Sequence, residues 1–226
     1  MVDVYAHRGL HLNELENSLG AFGAAVALGV TGVELDVRRT ADGVLVVSHD
    51  PIIGALAIAS TRYQDLAVHV ATLDEAMDTL RGVRVNVEIK NDQATPEATY
   101  DDSGDLARQV VSYLQGSKWT NDCIISSFDL ATCKSVHDCD PTMRVGWLFW
   151  DVEPLRAIGE AHEAGLQAIH PHFALVSAPV IAAATANDLD VNVWTVNDAN
   201  DMATMASLGV ASIITDDPAL ALRLLG

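Results

Sequence analysis

The sequence is poor in lysine and rich in acidic residues. Among its 226 residues there are only three lysines (Lys90, Lys118 and Lys134), and the formal net charge is −18. Nucleic acid is a poor partner for such a chain, because phosphate contacts need clustered lysine and arginine. An aspartate-rich, lysine-poor composition suggests adaptation to high salt, where screening weakens the repulsion between like charges.

Long apolar runs and paired cysteines are also lacking. No uninterrupted apolar stretch reaches the roughly 18 residues of a transmembrane helix. The first residues lack the basic and apolar regions of a signal peptide. The cysteines, whose odd number and spacing fit neither a zinc motif nor a CxxC pair, are Cys123, Cys133 and Cys139. We expect free thiols, a cytoplasmic location and no stable membrane association.

The chain is long enough for one sizeable core and too short for two ordinary α/β domains, so we expect a single domain over residues 1–226. Short apolar or β-branched runs recur along it and predict strands. These runs are Val2–Ala6, Gly32–Val37, Arg84–Ile89, Cys123–Ser127, Arg144–Phe149, Gln167–His170, Asn192–Val196 and Ser212–Thr215.

Segments with helical spacing separate the strands. One of them, Thr72–Leu80, starts with the capping-box pair Thr72 and Glu75, and another, Asn17–Leu28, is followed by Gly29 as a stop signal. Eight alternating strands and helices predict the α/β class and a closed (β/α)₈ TIM barrel. A doubly wound open sheet is the alternative, although no GxGxxG turn follows the first strand.

One connection, after the second strand, is unusually long. Val44–Ser48 predicts an extra short strand that leads into His49-Asp50, and Pro51–Val70 predicts a loop. We therefore expect a short insertion at about residues 50–71. The polar stretch Asn91–Gly104 predicts a second loop.

Charged residues cluster where the strands of the predicted barrel end, and barrel active sites are built at that rim. Side chains two apart on a strand share a face, so Glu34 and Asp36 point the same way while their apolar neighbours point towards the helices. Glu88 and Lys90 repeat this pattern on the next strand. The charged set should face the barrel mouth.

Three carboxylates at one site need a compensating cation, and an all-oxygen ligand set favours one hard divalent ion, Mg²⁺ or Ca²⁺. Arg8 and Lys90 add positive charge for an anionic substrate. His7 and His49 stand at two further strand ends, and histidine is suited to proton transfer near neutral pH. Together these residues predict a metal-dependent phosphodiesterase.

The motif series resembles that of the glycerophosphodiester phosphodiesterases across nearly the whole chain. It comprises His7-Arg8-Gly9, Glu16-Asn17-Ser18, Glu34-x-Asp36, His49-Asp50, Asn86-Val87-Glu88-Ile89-Lys90, Ser126-Ser127-Phe128, the run from Val193 to Asp198, and Ile214-Thr215-Asp216. The resemblance implies a TIM barrel that hydrolyses small-molecule glycerophosphodiesters to glycerol phosphate and an alcohol.

The resemblance also implies roles for single residues. His7 and His49 match the general acid and base, without showing which is which. Glu34, Asp36 and Glu88 match the metal ligands. Arg8 and Lys90 match phosphate-binding positions, and Trp194 matches an aromatic wall of the substrate pocket. The implied reaction passes through a cyclic phosphate formed by the glycerol 2-hydroxyl.

The chain departs from the family pattern in three places. Leu15 replaces a proline, Ser18 replaces a threonine, and Pro51–Val70 is shorter than the usual insertion, which leaves the alcohol group undefined. Two other substrate classes fit the same barrel, namely lysophospholipids and inositol phosphodiesters. A non-catalytic barrel that binds phosphate or metal is a further alternative from another class.

Several polar residues have simpler structural interpretations. Glu16 and Asn17 are expected as first-turn and N-cap residues of the first helix that brace the loop after the first strand. His170 and His172, at the end of the sixth predicted strand, are secondary candidates for substrate contact. We assign no function to His11, His69, His137 and His162.

Overall fold

The computed structural model describes residues 2–66, 70–91, 100–119 and 122–226. Within these ranges the strands are β1 (Asp3–His7), β2 (Gly32–Arg39), β3 (Leu45–Val47), β4 (Ile52–Ile53), β5 (Leu56–Ala57), β6 (Arg84–Ile89), β7 (Cys123–Ser127), β8 (Arg144–Phe149), β9 (Ala168–Pro171), β10 (Asp190–Val193) and β11 (Ser212–Thr215). The helices are α1 (Leu19–Leu28), α2 (Leu73–Thr79), α3 (Asp105–Gly116), α4 (Leu130–Cys139), α5 (Pro154–Glu163), α6 (Ala178–Ala186), α7 (Ala199–Leu208) and α8 (Pro218–Leu225).

The sheet is a closed parallel barrel. Its order runs β1, β11, β10, β9, β8, β7, β6, β2, and β2 pairs in turn with β1. Only β3 is antiparallel, and it extends the sheet beyond β2 by pairing Val37 with Val47. Closure confirms the (β/α)₈ prediction, and the open-sheet alternative is wrong.

One strand lies earlier in the chain than its pattern predicts. The run Asn192–Val196 predicts a strand, but β10 spans Asp190–Val193. Asp190 and Val191 pair with β9, whereas beyond Val193 only an isolated bridge joins Trp194 to His172. Trp194 therefore lies on the barrel rim, just past the strand end.

Local capping explains the helix boundaries. Ser18 accepts a hydrogen bond from the Ala21 amide at the start of α1, and Gly29 ends that helix with a left-handed φ of 83°. The Thr72–Glu75 capping box is confirmed at the start of α2. Glu16 and Asn17 precede the cap, so their prediction as first-turn and N-cap residues is wrong. Their expected bracing of the loop after β1 is confirmed, because both form hydrogen bonds with Arg8.

The two faces of the strands separate as the alternation predicts. Val33, Leu35 and Val37 are fully buried in the main hydrophobic cluster, which lies between the sheet and the helices. The alternate residues of β2, Glu34 and Asp36, are also buried but point into the barrel. The packing face holds β2 in place, and this in turn positions the carboxylates.

The long connection after β2 holds more structure than its sequence predicts. β4 and β5 form a small antiparallel hairpin, and 3₁₀ turns follow at Ile58–Ser60 and Tyr63–Asp65. A small second core forms from Val46, Ile58 and Val70. His69 and residues 92–99 of the second predicted loop lie outside the described residues.

No helix in the described part of the chain is long and apolar enough to cross a membrane. Cys123 and Cys133 are buried, Cys139 is exposed, and all three are free thiols, as expected.

Candidate active site

Three carboxylates meet inside the mouth of the barrel. Glu34 and Asp36 lie on β2, and Glu88 lies on β6, where it is paired in register with Asp36. All three are buried, and each offers an oxygen within 4.8 Å of the others. The structure therefore brings together the three residues predicted from strand periodicity as metal ligands.

The electrostatics of this cluster fit a divalent cation. Burial, together with the Asp36 and Glu88 charges, raises the pKa of Glu34 well above its usual value. Glu34 Oε1 and Asp36 Oδ1 are buried and have no hydrogen-bond partner among the described residues. Buried carboxylate oxygens without donors are costly, and an oxygen-only set of this kind suits a hard ion such as Mg²⁺ or Ca²⁺.

Two cationic side chains flank the carboxylates. Lys90 Nζ lies 2.7 Å from Glu88 Oε1 and 3.5 Å from Asp36 Oδ1. Arg8 Nε lies 3.2 Å from Asp36 Oδ2. Burial alone would raise the pKa of Asp36, but Lys90, Arg8 and a hydrogen bond from Asn17 hold it below its usual value. Asp36 therefore stays ionised, and the site keeps two fixed positive charges for an anion.

The turn after β1 delivers Arg8 through an unusual backbone. Arg8 has φ 55° and Gly9 has φ 84°, both in the left-handed region. A Cβ on Gly9 would stand 2.7 Å from the Ala21 backbone, so only glycine fits there. The turn points the Arg8 amide at Glu34 Oε2, which accepts its hydrogen bond at 3.0 Å. Strained backbone of this kind is concentrated at functional sites.

The segment before α1 supports the site. Asn17 donates to Asp36 Oδ2 at 2.8 Å, and its own carbonyl oxygen accepts the Asp36 amide at 3.3 Å. Glu16 accepts a hydrogen bond from Arg8 Nη1 at 3.0 Å. Ser18 alone caps the helix. The Glu-Asn-Ser motif therefore orients Asp36, a candidate metal ligand, and the cation Arg8. Helix-capping rules do not indicate this role.

His7 is held by a carboxylate from the last strand end. Its Nδ1 lies 2.6 Å from Asp216 Oδ1, and its Nε2 lies 4.0 Å from Glu34 Oε2. Burial tends to raise the pKa of Asp216, but the hydrogen bond from His7 keeps it below its usual value. An ionised carboxylate only accepts, so Nδ1 carries a proton and Nε2 faces the carboxylate cluster.

His49 reaches the site from the antiparallel strand β3. The Ser48 amide donates to Asp36 O at 3.0 Å, and Arg38 donates to His49 O through Nε at 2.9 Å and Nη2 at 2.5 Å. The His49 Nδ1 donates to Asp50 Oδ1 at 2.9 Å. The backbone of His49 is thus fixed to β2, while its ring carries a carboxylate partner like that of His7.

All these groups surround one inner cavity of about 120 Å³. Every predicted site residue except Asp36 lines it, and Asp36 lies directly behind Arg8 and Lys90. Trp194 forms part of the wall, with Nε1 donating to His170 O at 2.7 Å and its ring edge-to-face with Phe128. The aromatic wall expected at Trp194 is therefore next to the charged groups.

Sequence reasoning missed three supporting residues. Asp216 and Phe128 end two motifs of the series, so the sequence indicated that they lie at strand ends. It did not indicate that they contact His7 and Trp194. Arg38 lies on β2 next to the cluster, and nothing local indicates that it binds the His49 carbonyl. The contacts of Asp216 and Phe128 join segments that are distant along the chain, and that of Arg38 crosses the antiparallel β2–β3 pair.

The secondary candidates His170 and His172 lie outside the inner cavity. His170 is fully buried, accepts a hydrogen bond from Asn192 at Nε2, and its pKa is lowered by burial to about 3. His172 accepts the Ala174 amide and packs edge-on against Trp194. Both histidines therefore support Trp194 and the barrel core.

Comparison with known proteins agrees with this geometry. The chain is 27% identical over 238 residues to a glycerophosphodiester phosphodiesterase of Caldanaerobacter subterraneus subsp. tengcongensis, covering 95% of this chain and 94% of that protein. A crystal structure of a glycerophosphodiester phosphodiesterase from Parabacteroides distasonis superposes with a TM-score of 0.87 at 28% identity, covering 99% and 96% of the two chains.

A third relative shares the fold. It is an Oleispira antarctica phosphodiesterase in complex with the product sn-glycerol-3-phosphate, with a TM-score of 0.84, 20% identity and coverage of 99% and 96% of the two chains. Residues 7–220 match the glycerophosphoryl diester phosphodiesterase family as a whole. With the motif series and the barrel, this match shows that the chain belongs to the glycerophosphoryl diester phosphodiesterase family, a family of phosphoric diester hydrolases.

Proposed function

We propose that this protein hydrolyses glycerophosphodiesters to glycerol phosphate and an alcohol. One observation carries the proposal: two buried carboxylates, two cations and two carboxylate-paired histidines line a single cavity, and the third buried carboxylate, Asp36, lies directly behind the cations. A relative of the same fold binds sn-glycerol-3-phosphate as its product. The small inner cavity suits the glycerol phosphate part of such an ester.

The residues present fit one divalent cation. Glu34, Asp36 and Glu88 would hold it, since their buried oxygens converge and two of those oxygens accept no hydrogen bond from a described residue. When bound, Mg²⁺ or Ca²⁺ would polarise the phosphoryl oxygen and offset most of the cluster's negative charge. Arg8 and Lys90 then provide the remaining positive charge for the phosphate.

In this proposal His7 is the base of the first step. Asp216 fixes the proton on Nδ1, which leaves the Nε2 lone pair facing the inner cavity. Nε2 takes the proton of the glycerol 2-hydroxyl as that oxygen attacks phosphorus. His49 borders the outer side of the cavity and, in its protonated form, gives its proton to the departing alcohol oxygen. The product of this step is a cyclic glycerol phosphate.

The second step reverses these roles. Neutral His49 accepts a proton from water, whose oxygen attacks phosphorus and opens the ring. Protonated His7 returns its proton to the 2-oxygen of glycerol. Both histidines end in their starting states, and the net reaction consumes one water.

The test is a hydrolysis assay with glycerophosphocholine, followed by ³¹P NMR to detect cyclic and final phosphates. Chelation should abolish turnover, and Mg²⁺ or Ca²⁺ should restore it. His7→Ala and His49→Ala should each lower kcat by about 10²–10⁴-fold without a change in melting temperature. The control is His162→Ala, since His162 is exposed on α5 and its ring is hydrogen-bonded to the Asn187 carbonyl, away from the site.

Full activity of the His49→Ala variant would refute the assignment of the site. Turnover of lysophosphatidylcholine or an inositol phosphodiester, with none of glycerophosphocholine, would replace the proposed substrate class. Metal binding without turnover of any phosphodiester would indicate a non-catalytic barrel.

A further inference from the structure

A second cavity opens from the inner one across the ends of β7 and β8. Its volume is about 490 Å³, and we call it the aromatic groove because Phe128, Trp147 and Trp150 form its walls. His49, Glu88 and Lys90 border both cavities. A substrate with its phosphate between these three residues would therefore extend from the inner cavity into the groove.

Another cavity near the site is a weaker candidate for the same substrate part. It measures about 580 Å³ and is lined by Arg38, Arg39 and Asp101, among others. It shares only Lys90 with the inner cavity, and His49 does not border it. The departing oxygen must lie within reach of the proton donor, so the alcohol belongs on the side that His49 borders.

Two of the aromatic residues that line the groove, Trp147 and Phe128, already make contacts with other side chains or the backbone. Trp147 Nε1 donates to Phe128 O at 3.1 Å, and Trp147 is only 6% exposed. The Phe128 ring has Lys90 Nζ 5.7 Å from its centroid and packs edge-to-face with Trp194. Trp147 is therefore a buried wall of the groove, and Phe128, although 38% exposed, already has a cation over its ring.

Two side chains of the groove, Trp150 and Asp151, are free of such contacts with the described residues. Trp150 is 65% exposed, and within the described ranges it makes no ring–ring or cation–ring contact. Asp151 lines the groove and has no hydrogen bond or ion pair to any described residue. The groove thus presents a free indole face beside an unpaired negative charge.

We infer that the aromatic groove receives the alcohol leaving group and favours an alcohol with a permanent positive charge, such as one with a quaternary ammonium head. An indole face attracts such a cation through its quadrupole, and Asp151 adds charge attraction. Lys90 also borders the groove, but it lies 2.7 Å from Glu88 and binds the substrate phosphate in the proposed function, so its charge is offset by these two anionic groups. The inference rests on the proposed function and names the alcohol class for it.

The test compares two esters of the same shape. Glycerophosphocholine carries the ammonium group, and the 3,3-dimethylbutyl ester of glycerol phosphate replaces its nitrogen with carbon. The two alcohols differ as leaving groups, so the informative quantity is the ratio of their kcat/KM values in each variant relative to that of the wild type. This comparison cancels the intrinsic reactivities.

Trp150→Leu should lower the ratio by about 3- to 30-fold, because leucine fills the position without a π face. Trp150→Phe should keep most of the preference, and Asp151→Asn should lower the ratio by about 2- to 5-fold. Leu155→Ala is the control: Leu155 is an exposed apolar residue at the start of α5 that does not line the groove, so the ratio should not change. Thermal melts check that each variant folds.

An unchanged ratio in Trp150→Leu and Asp151→Asn, with both esters hydrolysed, would overturn the inference and leave the proposed function intact. If Trp150→Leu does not fold, Asp151→Asn decides: a ratio lowered about 2- to 5-fold supports the inference, and an unchanged ratio overturns it. A wild type that hydrolyses neither ester would overturn the proposed function and this inference with it.

Discussion

Replacing Asp216 with asparagine should disable His7, because the ring proton then moves from Nδ1 to Nε2. The reason lies in the orientation of Asn197, whose Oδ1 accepts hydrogen bonds from Thr215 Oγ1 at 3.0 Å and from the Asp216 amide at 2.9 Å. Its Nδ2 must therefore donate to Asp216 Oδ2, at 2.7 Å. In Asp216→Asn, the new carboxamide oxygen has to face Asn197, and its NH₂ then faces His7.

An NH₂ group facing Nδ1 makes that nitrogen an acceptor and puts the ring proton on Nε2. His7 then has no lone pair towards the glycerol hydroxyl. Loss of the correct tautomer in carboxylate–histidine pairs costs about 10³–10⁴-fold in kcat, or about 4–5.5 kcal/mol of activation free energy. We expect this loss with little change in KM, because Asp216 is not among the residues that line the inner cavity.

The matched control is Asp50→Asn, the same chemical change at the partner of His49. The Asp50 side chain is 76% exposed, against 38% for Asp216, so water can replace it and the loss in kcat should stay within about 10-fold. The assay is steady-state hydrolysis of glycerophosphocholine by both variants. Retention of more than a tenth of the wild-type kcat by Asp216→Asn, or equal losses in the two variants, would refute the reasoning.

Three further predictions concern stability. Without metal, the free energy of unfolding should fall as pH rises above the ordinary glutamate pKa of 4.5, because folded Glu34 has a raised pKa and keeps a proton that the unfolded chain releases. Glu34→Gln should remove this decline in thermal melts with chelator, and an unchanged pH profile would contradict this. The same variant should also lose the gain in unfolding free energy of about 2.7 kcal/mol that we expect for the wild type at a metal concentration of a hundred times Kd. Asn17→Gly allows the left-handed φ of 55° but removes the hydrogen bonds to Asp36. Urea unfolding should therefore show a free energy of unfolding lower by about 1–3 kcal/mol, and an unchanged value would mean that water replaces the amide. Finally, the net charge of −18 predicts a melting temperature that rises between low salt and molar KCl, and a flat curve would argue against adaptation to high salt.

Local patterns were sufficient for much of the barrel. The period-two alternation on β2 separates Glu34 and Asp36 from Val33, Leu35 and Val37, because successive side chains on a strand point to opposite faces. Capping signals correctly predicted the start of α2 and the end of α1, because each signal acts within one helical turn. The eight-fold alternation of strands and helices was likewise readable without coordinates.

The sequence patterns misplaced the features whose partners are distant. Asn17 has the residue type of a helix cap, yet it bonds to Asp36, and Ser18 caps the helix instead. The strand around Val193 starts at Asp190, because pairing with β9 outweighs local preference. Such outcomes depend on which strands become neighbours.

Periodicities over a few residues were enough to predict eight alternating strands and helices, the inward carboxylates and the residue types of a phosphodiesterase site. They could not show that Asp216 bonds to His7, 209 residues away, or that Trp150 and Asp151 line a groove next to His49. These contacts exist because β11 pairs with β1 to close the barrel, and because the strand ends then meet at one rim. Closure is a property of the whole sheet, and no short segment encodes it.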